Sequence, residues 1–279
     1  MDKKIEVLYK YRLVDDNSID ALFKGMLWYS KPAGLNDPHD VAPRWKKNFT
    51  DTEILEDFVL KRSDSKNAEA KAAGEAIANF VAKCRSKGWS DSRVLRKVDA
   101  AFMKVDGKTQ RELLQDTLYY NENIFSNMGV LSLSEDPKNA VMWGSYSNSH
   151  RGFCLGFEYH ETNVLGQYSA PIDYLEKMPK PSVKLFSHDA GEEGINLIAL
   201  TKSKEWEYEQ EWRVTKLVGN MLYPYPGRLV EVILGMNISQ DDELRVRNAI
   251  RASGYTPNYF KLKAIEDDYG YAKLRLPEN

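Results

Sequence analysis

The sequence predicts a mixed α+β fold, a largely antiparallel sheet core with a helical insertion over residues 50–126. Three observations predict it. Short extended segments bounded by turn residues open the chain and dominate it from Met128 onward. Between about Thr50 and Ser126 the composition turns to Ala, Lys, Glu and Leu, with apolar residues at helical spacing. No internal repeat or low-complexity tract divides the rest, so the expectation is a single α+β domain over residues 1–279 that includes the insertion.

Each element has a local reason. Residues 6–13 are extended and aromatic, Asn17 and Ser18 can cap a short helix that Gly25 ends, and residues 27–30 read as a second strand. Pro32, Gly34, Asn36, Asp37 and Pro38 then crowd seven positions, which marks a tightly shaped loop. Breaks at residues 64–67, 88–90 and 106–108 divide the insertion into four helices, with apolar stripes such as Ile54, Leu55, Phe58, Val59 and Ile77, Phe80, Val81, Cys84. Strands are expected at 129–134, 152–159, 211–218, 229–234, 259–263 and 271–276. Asp136 with Pro137 opens a helix to about residue 148, and Ser239 with Asp242 opens another to residue 253.

Composition excludes several classes. Lys and Arg number 39 against 41 Asp and Glu, a formal net charge of -2, so no whole-molecule field draws the chain to nucleic acid. The first twelve residues lack the apolar stretch of a signal peptide, and no run approaches the roughly 18 apolar residues of a spanning helix, so a cytoplasmic protein without a membrane partner is expected. Cys84 and Cys154 stand far apart, and His39, His150, His160 and His188 show no HExxH or HxxxH spacing, so no metal is expected. GxGxxG, the Walker pattern and GxSxG are absent.

Four clusters carry candidate chemistry, each with a plainer alternative. In the first strand, alternation puts Lys10 and Arg12 on one face and Tyr9 and Tyr11 on the other. A guanidinium there could grip a diphosphate, or the cations could simply line a wet edge. The loop holding Asn36, Asp37, His39 and Asp40 follows the strand that contains Tyr29 and Ser30. Its polar groups could reach a ribose or a metal, or only build the turn. Strand GVLSLS, with Ser132 and Ser134, leads into a helix carrying Met142, Trp143 and Tyr146, either one wall of a cleft or a core stripe. Glu207, Glu209 and Glu211 alternate through WEYEQEWR and share a face if extended, with Arg213 continuing it. Such crowding calls for cations or a polar ligand.

LYKYR, LWYS with LNDPHD, LSLSED with MWGSYSNSHRGFCLGFE, and WEYEQEWR, in that order, resemble an uncharacterised bacterial family known only as a domain of unknown function. The motif order is also similar to the ADP-ribosyltransferase layout, in which a first-strand Arg or His, a middle-strand Ser or Tyr and a late-strand Glu surround NAD. That resemblance implies Arg12 in the first role, Ser132 or Ser134 in the second, and Glu211 in the third with Glu209 completing an ExE pair. The Ser-Thr-Ser triplet is absent, and the helical insertion separates the first two motifs.

The chemistry follows from the resemblance. Cleavage of the bond between nicotinamide and ribose develops oxocarbenium charge that a carboxylate, here Glu211, stabilises, while Glu209 orients or deprotonates the acceptor. Arg12 with Lys10 would offset the diphosphate, and Tyr29, Trp143 or Tyr146 would stack on a ring. The expectation is an NAD-using transferase or NAD glycohydrolase whose acceptor the sequence leaves unnamed. Two rivals stand beside it: a metal-dependent nuclease built on Asp37, Asp40, Glu209 and Glu211, and a non-catalytic binding module with a protein partner.

Overall fold

Alternation of side chains along the strands sorts one long sheet into an apolar face and a mixed face. The computed structural model describes residues 5–42, 48–63, 67–179 and 191–277. In chain order the elements are β1 (Val7–Arg12), α1 (Asp16–Phe23), β2 (Met26–Tyr29), α2 (Asp51–Ser63), α3 (Ala68–Ser86), α4 (Asp91–Asp106), α5 (Gln110–Asn127), β3 (Gly129–Ser134) and α6 (Ala140–Tyr146). There follow β4 (Phe153–Glu158), α7 (Val164–Tyr168), β5 (Ser169–Pro171), β6 (Asp173–Leu175), α8 (Gly191–Ala199), β7 (Thr201–Ser203) and β8 (Glu211–Lys216). The chain closes with β9 (Met221–Pro224), β10 (Leu229–Leu234), α9 (Gln240–Ala252), β11 (Asn258–Ala264) and β12 (Tyr271–Arg275).

Two compact units divide the chain: Met1–Asp40 with Asn127–Lys177 and Lys202–Asn279, and Val41–Ser126 with Met178–Thr201. In the first, eight strands form a sheet in the order β12-β11-β10-β4-β1-β3-β8-β5. It is antiparallel except where α9 carries the chain from β10 to a parallel β11. The mixed, mostly antiparallel class expected from the strand pattern is the one observed.

On one face Leu8, Leu131, Leu133, Leu155, Val214 and Val232 pack with Leu22 of α1 and with Val246 and Ile250 of α9. On the other, Tyr9, Tyr11, Cys154 and Ile233 pack with Met142 and Trp143 of α6. Directly paired strand residues share a face, so the registers Tyr9 with Ser134, Ser134 with Glu211, and Ser132 with Arg213 bring these polar groups to the α6 side.

The seam between β1 and β3 is unusual. They register at one pair only, Tyr9 with Ser134, although β1 continues to Arg12. Ser30, just past β2, bridges Val130 of β3 instead, with N–H···O bonds of 3.0 and 2.8 Å. The sheet therefore opens beyond Tyr9, and the loop 32–40 starts beside the opening.

Local chemistry explains several departures from the expected boundaries. Asp15, not Asn17 or Ser18, caps α1, its carboxylate accepting from Ser18 N at 2.6 Å. The helix expected from Asp136 begins only at Ala140: Asp136 accepts from Lys138 N in a side-chain turn, and Asn139 supplies the cap by accepting from Met142 N. After α6, Asn148, Ser149 and His150 all adopt left-handed φ values of 50, 55 and 66°. Gly152 follows because a Cβ there would lie 2.1 Å from the Arg12 carbonyl oxygen.

In the second unit, Ile54, Leu55 and Phe58 of α2, Ile77, Val81 and Cys84 of α3, Val94, Leu95 and Val98 of α4, and Leu114 of α5 form one apolar cluster. The four helices begin and end at the expected breaks, with Gly88 and Gly107 at φ +75 and +67° where the chain leaves α3 and α4. Among the described residues, no helix is long and apolar enough to cross a membrane.

Candidate functional site

The extended WEYEQ segment expected from alternating carboxylates is instead a 3-10 turn over Lys204–Glu209, closed by Gln210 at φ 43°. Glu207 is thereby left exposed and does not share a strand face with the other two. Glu209 and Glu211 instead converge on Lys202, the middle residue of β7, whose ammonium lies 2.5 Å from Glu209 Oε2 and 3.2 Å from Glu211 Oε2. Arg213, two residues along β8, donates to Glu211 through Nε at 2.7 Å and through a terminal nitrogen at 3.0 Å, and to Asp40 at 2.6 Å. Lys202 stands 3.6 Å from the same Asp40 oxygen. The side chains of Arg213, Asp40, Glu211, Lys202 and Glu209 are 0, 2, 2, 3 and 4% exposed, so five charges are gathered away from water.

Such burial is tolerable only with near-complete mutual compensation. Burial pushes the Glu211 carboxyl up, but Arg213 and Lys202 outweigh it and hold the group at about 2, so it is ionised at neutral pH. The Ser132 hydroxyl adds a hydrogen bond, and the Glu211 N–H donates to Tyr174 Oη at 2.7 Å. Burial likewise lowers Lys202 and Arg213, yet the surrounding carboxylates win and raise both. The second oxygen of Asp40 is buried with no hydrogen-bond partner.

A second chain of contacts leads outward. Tyr146, on the last turn of α6, donates to Glu209 Oε1 at 2.5 Å, and exposed Asn36 donates to the Tyr146 hydroxyl at 2.6 Å. Burial first, then the Glu209 carboxylate, raises the Tyr146 hydroxyl, which keeps its proton. The loop 32–40 is thus tied to the cluster twice, by Asn36 at the surface and by Asp40 below it.

β1 contributes from the seam. Lys10 Nζ donates to the Ser132 carbonyl at 2.9 Å across the gap where backbone pairing is missing. Burial and then the neighbouring Arg12 lower its pKa to about 8, against the pull of Glu211 and Glu209. Arg12 points elsewhere: it shares the α1 side of the sheet with Leu8, donates to Ser18 Oγ at 2.9 Å and feels Asp15. Arg12 and Glu211 therefore stand on opposite faces, and Lys10, whose ammonium turns into the seam, is the β1 cation that feels both carboxylates.

Other anticipated residues divide between site and scaffold. Tyr29 is 1% exposed in the apolar core, edge-on to Tyr223, and Trp143 is fully buried with its indole N–H on the Pro137 carbonyl at 2.9 Å, so neither ring is free to stack on a ligand. Ser134 Oγ donates to the Glu209 carbonyl at 2.7 Å and accepts from Asp136 N, which shapes the turn. Asp37 accepts from His39 N at 2.9 Å, also a turn role. Ser30 holds the seam through its backbone. Sequence reasoning missed Lys202, seven positions before Glu209 and two before the exposed Lys204, and did not foresee the pairing of Asp40 with Arg213.

The arrangement holds an ionised carboxylate, Glu211, beside a second one, Glu209, whose hydrogen-bonded tyrosine leads to the surface. Lys202 bridges Glu209, Glu211 and Asp40, and Arg213 bridges Glu211 and Asp40. Among the described residues, no group of three or more His, Cys, Asp or Glu side chains is placed to hold a metal ion. No curated protein and no solved structure matches the chain. Residues 142–214, from α6 to within β8 and so including Tyr146, Lys202, Glu209, Glu211 and Arg213, match the model of a family described as a protein of unknown function (DUF2971).

Proposed function

We propose that the protein is an NAD-using enzyme of the ADP-ribosyltransferase kind, or an NAD glycohydrolase, with its site at the opening between β1 and β3. The observation that carries the reading is strand order. β1, β3 and β8, which bear the three motifs of that layout, lie side by side although about 200 residues separate the first from the last. The seam between the first two is open and is bridged by Lys10, whose ammonium feels Glu211 of β8 and Glu209 of the turn before it.

In this reading Glu211 supplies fixed negative charge to the ribosyl oxocarbenium, since Arg213 and Lys202 keep it ionised and oriented. Glu209 orients or deprotonates the acceptor, its proton traffic passing by way of Tyr146. Lys10, at the seam, answers the diphosphate in place of Arg12. Half-buried Tyr146 stays a stacking candidate, and half-buried Tyr208 joins it in place of Tyr29 and Trp143. The carboxylates are covered in this structure, so NAD enters only if Asn36 and Tyr146 part.

The test is nicotinamide release from NAD by purified protein, read for the parent, Glu211→Gln and Glu209→Gln, with melting curves to confirm folding. Release by the parent and a loss of at least about a hundredfold in folded Glu211→Gln supports the proposal. A parent that releases no nicotinamide and gains no thermal stability from NAD returns the cluster to the binding-module reading.

A further inference from the structure

The helical unit carries a surface that the NAD reading does not use. The corner where α3 ends and α4 begins holds Lys83, Arg85, Lys87, Arg93, Arg96 and Lys97, all exposed, against a single acid, Asp91. A fifteen-residue stretch with five surplus positive charges is an outlier in a chain of formal net charge -2. The whole-chain balance conceals it.

Ordinary helix electrostatics accounts for only half of these cations. Lys83, Arg85 and Lys87 stand at the C-terminal end of α3, where the helix dipole favours positive charge, and Arg85 is paired with Asp91 at 2.8 Å. Arg93, Arg96 and Lys97 occupy the first two turns of α4, the end at which the dipole disfavours cations. Among the described residues, the side chains of Lys83, Lys87, Arg96 and Lys97 have no hydrogen bond or ion pair. The buried side of α4, with Val94, Leu95 and Val98, leaves these cations directed outward.

Aromatic side chains are interleaved with the charge. Phe80 is 41% exposed one turn before Lys83, and partly exposed Trp89 lies in the corner with the Arg93 guanidinium 3.9 Å above its ring. The corner itself is fixed, since Lys87 N and Trp89 N both donate to the Cys84 carbonyl at 3.1 Å. Rows of cations that track phosphates, with rings on which bases stack, are the chemistry of sequence-tolerant single-strand binding. An acidic peptide would have no use for the exposed rings, and a duplex would offer them no open base face.

We propose that the α3–α4 corner binds single-stranded nucleic acid, phosphates on Lys83, Lys87, Arg96 and Lys97 and bases on Phe80 and on the Arg93 guanidinium plane that caps Trp89. The inference does not rest on the NAD reading. It is tested by fluorescence anisotropy of labelled oligothymidylate and oligouridylate with the full chain over a range of salt. Binding should weaken steeply with salt, and the Lys83→Glu/Lys87→Glu and Arg96→Glu/Lys97→Glu pairs should each lower affinity about tenfold or more and flatten the salt slope by about two. Phe80→Ala should weaken binding about tenfold at an unchanged slope. These side chains are exposed, and circular dichroism melting confirms the fold, with Lys→Gln exchanges replacing any variant that melts early. No binding at low salt, undiminished binding by folded reversal variants, or tighter capture of polyglutamate, duplex DNA or anionic vesicles than of the single strands would overturn the proposal.

Discussion

The two faces of the central sheet solve opposite problems with the same strands. Against α1 and α9, Leu8, Leu131, Leu155 and Val232 bury apolar surface, with Arg12 answered by the Ser18 hydroxyl. Toward α6, Glu211 and Arg213 from the neighbouring strand are withdrawn from water with Asp40, Glu209 and Lys202. Hydrocarbon packing tolerates loss by degrees, whereas a compensated charge network fails when one member leaves. The first face holds the fold, and the second holds a preorganised field at some cost in robustness.

The contrast is broken most severely at Arg213. Arg213→Met should cost about 3–5 kcal/mol in urea unfolding, because Glu211 and Asp40 are left as buried charges. Adding Glu211→Met should restore part of that loss, an outcome that simple loss of packing would not produce. On the opposite face Leu155→Ala should cost about 2–5 kcal/mol with no dependence on pH between 3 and 9, which separates cavity formation from charge imbalance.

Titration sharpens the comparison further. Glu211 has its folded pKa depressed to about 2 from the ordinary 4.5, so its contribution is present above 4.5 and is lost as pH falls toward 2. Stability should therefore decline through that window and do so less in Arg213→Met. Lys10 has the reverse character. Its folded pKa of about 8 lies below the ordinary 10.5, so the unfolded chain holds the proton more tightly between these values. This group's contribution to stability should grow as pH rises from 8 to 10.5, and Lys10→Met should remove the gain in unfolding measured across that range.

Smaller effects lie at the rim. Tyr146→Phe should cost about 1.5–3 kcal/mol through the lost bond to a carboxylate, measured by urea unfolding. Asn36→Ala, at an exposed position, should stay within about 0.5 kcal/mol by the same measure. If Asn36 guards the entrance, its nicotinamide-release rate changes while its stability does not.

The sequence disclosed what depends on neighbours along the chain. Gly88 and Gly107 marked where helices stop, Ser239 marked where α9 starts, and alternation located β1, β3, β4, β8 and β10. Contacts across long separations left no comparable trace. Asp40 meets Arg213 across 173 positions, and Lys202, with Lys204 two residues on, reads as an ordinary surface cation until β7 carries it inside. WEYEQ was misleading because an alternating pattern fits a strand as well as a tight turn, and Gln210 takes a left-handed conformation that only glycine or asparagine would have advertised. Glu209 and Glu211 were identifiable as unusual; the cations that tame them were not.

The parting of β1 from β3 carries a mechanical consequence. Interior strands of a sheet are ordinarily its stiffest part, because separating them breaks a whole ladder at once. Here β1 and β3 are fastened by one residue pair and a lysine reaching across, while Ser30 takes the edge of β3 that β1 leaves free, so the two leaves can flex about Tyr9 and Ser134 while every outer strand keeps its partner. Compliance is concentrated at the centre of the architecture, and amide exchange should be faster for Tyr11, whose N–H lies on the edge facing β3, than for Lys10 and Arg12, whose amides face β4.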